Sequence, residues 1–395
     1  MDGLIRLRQA ADKVPVEVVS PLADARVISA AMAPDAAAQL ARDLGPGPFA
    51  QVLLFASPAA DIAALAAAAA LCWPGVPVAG CTTAGEIAET GYVEGQIVAM
   101  GLPAAHFAVE VLFLPDLTDL PRDALVADLI RVRHRLAEAR PDWAGEFGFV
   151  MVDGLSLRED ELASVLAMGL GPVPLFGGSA GDGLRFGETF VLFGGQVHRN
   201  AAVLSFVRTD CRVKVFSLDH LVPTEVRMVV TEADPSQRIV RQINAEPAAL
   251  AYARLLGKDA SQLTTFTFAA HPVVVRLGGQ HHVRSIQRLL PNGDLVVFSA
   301  IDEGLVLRLA DPMDMEAHLE RELSQLSAGG APAAILACDC ILRRIEAEEK
   351  QMYGALSRVL QRHSVSADRP TCCGCRARRL PTGHGRGCGG IRTAM

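Results

Sequence analysis

The sequence predicts an α/β protein made of two packed mixed α/β modules, with repeated strand-helix-strand units that end in glycine turns. The strongest observation is an internal echo. Val76–Glu86 and Val173–Asp182 each join a short apolar run to glycine, a hydroxyl residue, Ala-Gly and a carboxylate. Each run follows a strand-like segment and a helix-forming segment. With 395 residues, 50% of them hydrophobic, the chain can bury the cores of two to three domains.

The first unit follows a leader. Residues 1–49 are expected to form a leader and one helix, Ala36–Asp43. Gln51–Ala56 then reads as an apolar strand, and Ala59–Cys72 as a helix with Ser57 as its N-cap. The first glycine turn comes after this helix.

The second unit repeats the plan. Phe147–Val152 is the expected strand, Arg158–Met168 is the helix, and Ser156 is placed to cap it. Glu188–Val207 predicts two further strands around Gly-Gly. Residues 50–208 are therefore assigned to a first domain.

Residues 209–365 are assigned to a second domain with a different pattern. Two stretches there predict a strand over Arg227–Val230 and a hairpin turn at Pro291–Asp294. The other expected elements are a helix carrying Ile239, Val240 and Ile243, a helix from Pro247 to Leu256, a helix over Met313–Leu326, a strand over Ala333–Cys338 and a helix over Arg343–His363. Counting from Cys340 as in the first two units predicts a third glycine turn near residue 364.

Residues 366–395 form an aberrant tail in which Arg, Gly and Cys dominate, and no core strand is expected there. A frameshifted or disordered segment would explain this composition. The alternative is a zinc knuckle, although adjacent cysteines rarely both ligate one zinc ion. Its candidate ligands are Cys372, Cys373, Cys375, His384 and Cys388.

Charge and hydropathy exclude several classes of function. The net charge of −7 gives no broad basic surface for nucleic acid. No apolar run is long enough for a membrane span, and the first residues lack the apolar region of a secretory signal. We expect a cytoplasmic protein with reduced thiols.

The glycine turns are the first candidate site, because consecutive backbone N–H groups in such turns can converge on an anion or a carbonyl. The structural alternative is two tight turns without a ligand. The candidate ligand-binding residues are Gly80, Cys81, Thr82, Thr83, Gly85, Glu86, Gly177, Gly178, Ser179 and Asp182.

The richest polar stretch is Cys338–Arg344, at the end of a predicted strand. Asp339 and Arg343 are its candidate binding residues, and buried structural thiols are the alternative reading of its cysteines. Asp302 and Glu303 are further candidates for ligand binding. Adjacent strand residues point to opposite faces, which argues against an acid/base dyad there.

Two histidines in apolar surroundings, His271 and His220, need a partner or a ligand, and a satisfied core histidine is the alternative for each. His281 and His282 flank a turn and are expected to be exposed. Cys81 is the one nucleophile candidate, because a thiol beside backbone donors can have a lowered pKa. No serine-triad, Walker, kinase or HExxH pattern appears, so we do not expect an enzyme.

Taken together, the motifs resemble the FIST sensory modules over nearly all of residues 50–363. Pro77–Glu86 is similar to the signature turn of the family, and Gly177–Asp182 is similar to its second glycine motif. Four stretches resemble its carboxyl-terminal half: Ala245–Ala248, Val283–Ile286, Asp302–Gly304 and Cys338–Arg344. The family's third glycine turn and the Asn-rich strand after it are not found in this sequence.

The resemblance implies a small-ligand sensory protein of bacterial signal transduction. Phe266–Val275 and Asp219–Glu225 are similar to the stand-alone branch that includes nitric-oxide-sensing haemoproteins. This implies haem as a possible cofactor, with His271 or His220 as axial ligand. It also implies a sensor histidine kinase or a cyclic-dinucleotide enzyme as partner. A thiol-dependent enzyme using Cys81 and a non-catalytic interaction scaffold are the alternatives.

Overall fold

The computed structural model describes residues 25–277, 280–327, 332–363 and 391–393. In the amino-terminal half the elements are, in chain order, β1 (Arg26–Ala31), α1 (Ala36–Leu44), β2 (Phe49–Ala56), α2 (Ile62–Cys72), β3 (Val78–Thr82), β4 (Glu86–Ala88), β5 (Gly91–Val93), β6 (Gln96–Pro103), β7 (Phe107–Leu114), α3 (Arg122–Ala139), β8 (Gly145–Val152), α4 (Glu159–Leu170), β9 (Leu175–Ser179), β10 (Val191–Phe193), β11 (Gln196–His198) and β12 (Ala202–Thr209).

In the carboxyl-terminal half the elements are β13 (Lys214–Val215), β14 (Leu221–Asp234), β15 (Ile239–Ile243), β16 (Glu246–Pro247), α5 (Ala248–Leu255), a 3₁₀ turn (Ala260–Gln262), α6 (Thr265–Ala270), β17 (Val273–Leu277), β18 (Gln280–Val283), β19 (Ile286–Leu289), β20 (Leu295–Val297), β21 (Val306–Pro312), α7 (Met315–Ser327), β22 (Ala334–Ile335), α8 (Ile341–Glu349), α9 (Tyr353–His363) and β23 (Ile391–Thr393). Among the helices of these described residues, none has the length and apolar character needed to cross a membrane.

The amino-terminal half is a sandwich of two sheets covered by helices. The first sheet has the order β1-β6-β2-β3-β10-β11 and the second the order β7-β12-β8-β9. Each sheet holds one parallel pair, β2 with β3 and β8 with β9, and these pairs are the two predicted strand-helix-strand units. The repeat in the sequence is therefore a repeat in the structure, with one copy in each sheet.

Residue alternation shows how the layers pack. On β2, Leu53 joins the core between the two sheets, whereas Val52 and Leu54 pack under α1 and α2. On β12, Val203 faces the inter-sheet core and Leu204 packs under α3 and α4. Strands buried on both faces read as continuous apolar runs, which is why the sequence revealed them. The order of layers is helix, sheet, sheet, helix.

The carboxyl-terminal half is built on a largely antiparallel sheet with the order β18-β17-β21-β14-β15-β20-β19, and β16 pairs with β15. Helices α5 and α6 pack on it through Tyr252 and Phe268. Helices α7 and α9 form a separate apolar cluster around Leu319 and Leu356. Mixed helices and strands in two modules confirm the predicted fold class.

The segment predicted as a strand over Ala333–Cys338, of which Ala334–Ile335 forms β22, packs against the first two units. Ala334 of β22 and Leu336 just after it are buried in the core between the two amino-terminal sheets. Strand β22 runs parallel to β23, which also pairs with β13. The sequence predicts no strand in residues 366–395, so Ile391–Thr393 is a difference from that expectation. The predicted third turn near residue 364 lies outside the described residues.

Three predicted elements differ from the structure. Residues 1–49 were expected to give only a leader and a helix, but Arg26–Ala31 forms an edge strand antiparallel to β6. Ile239–Ile243 is a strand rather than part of a helix, because it pairs with both β14 and β20. The single helix expected over Arg343–His363 is broken into α8 and α9, with Gln351 between them at a φ of 55°.

The predicted helix boundaries hold with small shifts. Helix α2 is capped by Asp61, whose side chain accepts from the Ala64 N–H at 3.0 Å, rather than by Ser57. Helix α4 begins at Glu159 without a side-chain cap, so the box expected from Ser156 does not form. The hairpin signal near Asn292 is confirmed by the antiparallel pairing of β19 with β20.

Candidate functional site

Gly80 and Gly177 occupy equivalent positions in the two parallel strand pairs. Gly80 lies opposite Leu54, and Gly177 lies opposite Val150. A Cβ at Gly80 would lie 2.4 Å from the carbonyl oxygen of Leu54, and a Cβ at Gly177 would lie 1.9 Å from that of Val150. Only glycine permits this close backbone approach. The first glycine of each motif is therefore required by strand packing.

The two glycine turns contact each other. The backbone N–H of Gly181 donates to the carbonyl oxygen of Thr82 at 2.9 Å. A Cβ at Gly181 would lie 2.8 Å from the backbone nitrogen of Ala84. The two motifs thus meet at one edge of the sandwich, as expected where parallel strands end.

Cys338–Arg344, the third predicted polar stretch, reaches both turns. A Cβ at Gly178 would lie 3.8 Å from that of Cys338, an ordinary contact. A Cβ at Gly85, whose φ is +119°, would lie 1.7 Å from the Arg344 guanidinium. Arg344 also donates from Nε to the Tyr353 hydroxyl at 3.0 Å and pairs with Glu94. Arg344 of the carboxyl-terminal half therefore packs against the first turn at Gly85 and forms an ion pair with Glu94 close by.

A cavity of about 2090 Å³ extends from the turns into the space between the two halves. Its lining includes apolar side chains of the inter-sheet core, namely Phe55, Cys81, Met100, Phe149 and Met151. Of the predicted site residues, those that line it are Cys81, Thr82, Thr83, Gly85, Glu86, Gly177, Gly178, Ser179, Asp182, His220, Asp339 and Arg343. This combination of an apolar wall with a few polar groups is typical of small-molecule sites. We call this space the interdomain cleft.

The two carboxylates of the glycine motifs have different surroundings, although each is only 3% exposed. Glu86 accepts from the Thr83 hydroxyl at 2.5 Å and from the Gln96 N–H at 3.1 Å. Burial raises the pKa of Glu86, and the hydrogen bonds from Thr83 and Gln96 and the charge of Arg344 partly offset this rise.

Asp182 holds its own loop. Its Oδ1 accepts from the Phe186 N–H at 2.9 Å, and its Oδ2 accepts from the N–H groups of Gly187 and Glu188 at 2.7 and 2.9 Å. These hydrogen bonds fix the chain that returns to β10. Asp182 therefore stabilises its own loop, whether or not it also contacts a ligand.

The thiol of Cys81 is buried in the inter-sheet core. Burial, and to a smaller extent the neighbouring Cys338, raises the pKa of Cys81 to about 12. The thiol is therefore protonated at neutral pH and is a poor nucleophile. This observation weighs against the thiol-dependent enzyme considered from the sequence.

His220 is buried in a polar network. Its Nε2 lies 3.2 Å from Oε2 of Glu346, and its Nδ1 lies 3.4 Å from a guanidinium nitrogen of Arg343. Because arginine only donates, Nδ1 accepts and the Nε2–H group faces the carboxylate. Both ring nitrogens are thus engaged within the protein.

His271 is separate from the interdomain cleft. It ends α6, where its backbone carbonyl accepts from the Tyr252 hydroxyl at 2.6 Å. Burial, together with the charge of Lys258, lowers the pKa of His271. It does not belong to the described residues that line the cleft. Neither His220 nor His271 therefore fits as an axial ligand that holds haem in this cavity.

Asp302 and Glu303 are not brought to the cleft. They lie exposed in the turn between β20 and β21, where the Asp302 carboxylate accepts from the Glu303 N–H at 2.8 Å. Asp339 and Arg343, in contrast, are joined at 3.2 Å, and Asp339 also accepts from the Tyr92 hydroxyl at 2.5 Å. Tyr92 in turn stacks on Tyr353, with ring centroids 5.5 Å apart.

A buried arginine joins the two halves on another wall of the cleft. The side chain of Arg238 is 5% exposed, and its guanidinium lies 2.5 Å from Glu159 and 3.0 Å from Asp160. Asp160 also accepts from the Ala300 N–H at 3.1 Å. Removing one partner of such a buried pair costs about 3–5 kcal/mol. This contact fixes the start of α4 against the carboxyl-terminal half.

Within the described parts of the chain, three side-chain atoms around the cleft are buried without a hydrogen-bond partner. They are Oε2 of Glu159, Nε of Arg284 and Nε2 of His281. Burial lowers the pKa of Arg284, with Asp160 opposing and Arg238 reinforcing this shift. His281 was expected to be exposed, but it is half-buried. Each unpaired buried group costs about 1–3 kcal/mol.

Sequence reasoning missed much of this wall. Glu159, Arg238 and Arg284 were not singled out as site residues. Their importance comes from contacts between distant segments, for which the sequence has no local signal. Tyr92 and Tyr353 gave a weak sequence signal, because tyrosine is rare in this chain, which has 3 tyrosines.

The fold and the cleft define a two-module α/β protein with a cavity suited to a small molecule. Sequence models of two domains match this chain: the FIST N domain over residues 50–246 and the FIST C domain over residues 248–367. The chain belongs to the FIST family, whose domains are small-ligand sensory domains of signal transduction. No curated protein sequence matches it significantly.

The first match extends beyond residue 208, where the sequence analysis ended the first domain. In the structure, β14 pairs with β21, so this part of the first match belongs to the sheet of the second half. The two domains are therefore interlocked through a shared sheet rather than joined by a linker.

Proposed function

We propose that this protein senses a small polar ligand that binds in the interdomain cleft and contacts both halves. The observation that carries the proposal is the set of unpartnered atoms on Glu159, Arg284 and His281. Buried polar groups of folded proteins are almost always hydrogen-bonded. A ligand with both hydrogen-bond donors and acceptors would supply the missing partners.

The signal is a shift between two arrangements of the halves. Glu159 belongs to the amino-terminal half, and Arg284 and His281 belong to the carboxyl-terminal half. A ligand that contacts both stabilises the closed arrangement more than an open one, which is the condition for shifting the equilibrium. The surface altered by this shift is read by an output partner. The family resemblance favours a sensor histidine kinase or a cyclic-dinucleotide enzyme in that role.

Nitric oxide sensing through haem is the finer version of this function that the resemblance implies. Both ring nitrogens of His220 are engaged, and His271 lies away from the cleft. The donor set therefore does not support haem in this cavity. Our proposal rests on the polar ligand and includes no step that depends on haem.

Replacing Arg284 tests the proposal. A panel of small carboxylates, phosphates and amides is screened by ligand-induced thermal shift on the wild type and on Arg284→Met. Methionine removes the unpaired Nε and keeps much of the side-chain volume. We expect the ligand-free variant to be as stable as the wild type or more stable, and its ligand-induced shift to be lost.

The matched control is Arg276→Met, an exposed arginine on the adjacent strand β17. It should keep the full ligand-induced shift. If Arg284→Met responds to the same panel compound as strongly as the wild type, Arg284 does not contact the ligand and the proposal fails.

A further inference from the structure

A second group of ligating side chains lies outside the interdomain cleft. His106, Asp210 and Cys211 each present one donor atom, and these three atoms lie within 4.8 Å of one another. Nδ1 of His106 is 3.0 Å from Oδ1 of Asp210, and Sγ of Cys211 is 3.7 Å from the same oxygen. We propose that these three residues bind a zinc ion.

The separations suit a tetrahedral ion. With bonds of about 2.0–2.1 Å to nitrogen and oxygen and about 2.3 Å to sulfur, ligand atoms lie roughly 3.3–3.5 Å apart. The two observed distances, 3.0 and 3.7 Å, differ from this range by a few tenths of an ångström. The third separation, between Nδ1 of His106 and Sγ of Cys211, is within 4.8 Å. Side-chain rotations would therefore have to close this gap to bring the three donors to bonding distance.

The backbone that carries these donors is already fixed. His106 precedes β7 and Asp210 follows β12, and the neighbouring residues Phe107 and Thr209 are paired across these strands. The Thr209 hydroxyl donates to the His106 carbonyl at 2.6 Å and accepts from the Cys211 N–H at 3.0 Å. One buried hydroxyl thus holds both donor-bearing segments, as supporting contacts do in metal sites.

Close packing adds to this rigidity. A Cβ at Gly145, opposite Thr209 on β8, would lie 3.0 Å from the Cys211 carbonyl oxygen. Cys211 is buried at the edge of the inter-sheet core, whereas Asp210 is exposed. The sulfur therefore faces the protein and the carboxylate faces solvent, which leaves an entry path for the ion.

The donor chemistry selects the metal. A thiolate, an imidazole and a carboxylate form a mixed set that suits Zn²⁺ and other first-row ions of similar softness, and does not suit Mg²⁺ or Ca²⁺. Binding releases the thiol proton to solvent, and water takes the fourth position. The ion would fasten the β6–β7 turn to the segment that leads from β12 to β13 and the carboxyl-terminal half.

Cobalt(II) provides a spectroscopic test, because thiolate coordination gives a charge-transfer band. The full chain is used with Cys372, Cys373, Cys375 and Cys388 replaced by serine, so that the tail supplies no competing thiols. We expect one equivalent of Co²⁺ to give the band and Zn²⁺ to displace it. Cys211→Ser should abolish the band and weaken Zn²⁺ binding by at least about 100-fold, because loss of a residue that only supports a ligand already costs about 10–100-fold.

Two controls separate ligation from folding. Cys72→Ser and His134→Ala change a thiol and an exposed imidazole elsewhere, and both should keep the band and the affinity.

Asp210→Asn tests a second ligand. It changes an exposed residue, so it should fold even if Cys211→Ser does not. It should weaken Zn²⁺ binding while the thiolate band remains.

Two results would overturn the zinc site. One is a tail-substituted protein that gives no thiolate band at micromolar Co²⁺. The other is a Cys211→Ser or Asp210→Asn variant that is folded by circular dichroism and binds Zn²⁺ as tightly as its parent.

Discussion

The two glycine turns share their backbone geometry but differ in what their polar side chains do. Gly80 and Gly177 each lie against a carbonyl oxygen of the neighbouring parallel strand. The carboxylate of the first turn, Glu86, lies near Arg344 of the other half. The carboxylate of the second turn, Asp182, accepts three backbone N–H groups of its own loop.

This difference separates what the repeat requires from what the site uses. The glycines are required in both copies because two strands approach closely there. The carboxylates occupy matching motif positions, but one contributes to the junction between the halves and the other to a loop. Similarity of motif therefore indicates common architecture, while the function of each side chain depends on its neighbours.

The largest effect should come from Gly177→Ala. The new methyl group would lie 1.9 Å from the Val150 carbonyl oxygen at a φ of +150°. We expect a loss of at least about 3 kcal/mol in the free energy of unfolding, or failure to fold. Urea unfolding followed by circular dichroism measures it. Gly183→Ala is the control, because its φ is also positive but no atom of the described residues lies within 4 Å of the added Cβ. A similar loss in both variants would mean that backbone conformation matters more than strand packing.

Asp182→Ala should have the next largest effect. It leaves the N–H groups of Phe186, Gly187 and Glu188 without their acceptor, which should lower the free energy of unfolding by about 2–4 kcal/mol. Hydrogen exchange of these amides should rise at the same time. Unchanged exchange would show that the carboxylate does not hold the loop.

Glu86→Gln should change the pH dependence of stability more than stability itself. Because burial raises the folded-state pKa of Glu86 above its ordinary 4.5, the native state holds this proton more tightly than the unfolded state. The contribution of Glu86 to the free energy of unfolding therefore falls as the pH rises from 4.5 through the folded-state pKa of Glu86.

The glutamine variant should lose this slope and remain within about 1 kcal/mol of the wild type at neutral pH. Urea unfolding across this pH range checks it, with the exposed Glu225→Gln as control. The assignment is wrong if Glu86→Gln keeps the wild-type slope.

The smallest effect concerns the thiol that distinguishes the first turn from the second. Cys81 has Gly178 as its counterpart, and its pKa of about 12 leaves almost no thiolate at neutral pH. We expect maleimide to label Cys81 at least about tenfold more slowly than the half-buried Cys72 on α2. Peptide mapping by mass spectrometry gives both rates. Faster labelling of Cys81 would restore the nucleophile hypothesis.

Local patterns explain what the sequence could predict. The strands of both units are buried on two faces and read as apolar runs, and the hairpin near Asn292 carries its own turn signal. Ile239–Ile243 shows where the local pattern is insufficient. Its three apolar residues have helical spacing, but the segment forms a strand that pairs with β14 and β20. Tertiary pairing overrode the periodicity.

The candidate site was predictable where it coincides with motifs and not where it depends on the meeting of the halves. The glycine motifs and Cys338–Arg344 were found from sequence, and the structure brings them together. Arg284 was found only as part of the stretch Val283–Ile286, because only the folded protein shows that its Nε is buried with no hydrogen-bond partner among the described residues. Glu86 and Asp182 looked equivalent, and only their hydrogen bonds distinguish them.

Hydrogen exchange in the presence of a compound selected by the thermal-shift panel tests the central claim most directly. If one ligand bridges the interdomain cleft, exchange should become slower in both residues 280–285 of one half and residues 154–160 of the other when the compound binds. Arg284→Met should lose the protection in both segments together. Protection confined to one half, or protection that survives in Arg284→Met, would contradict a ligand held between the two halves.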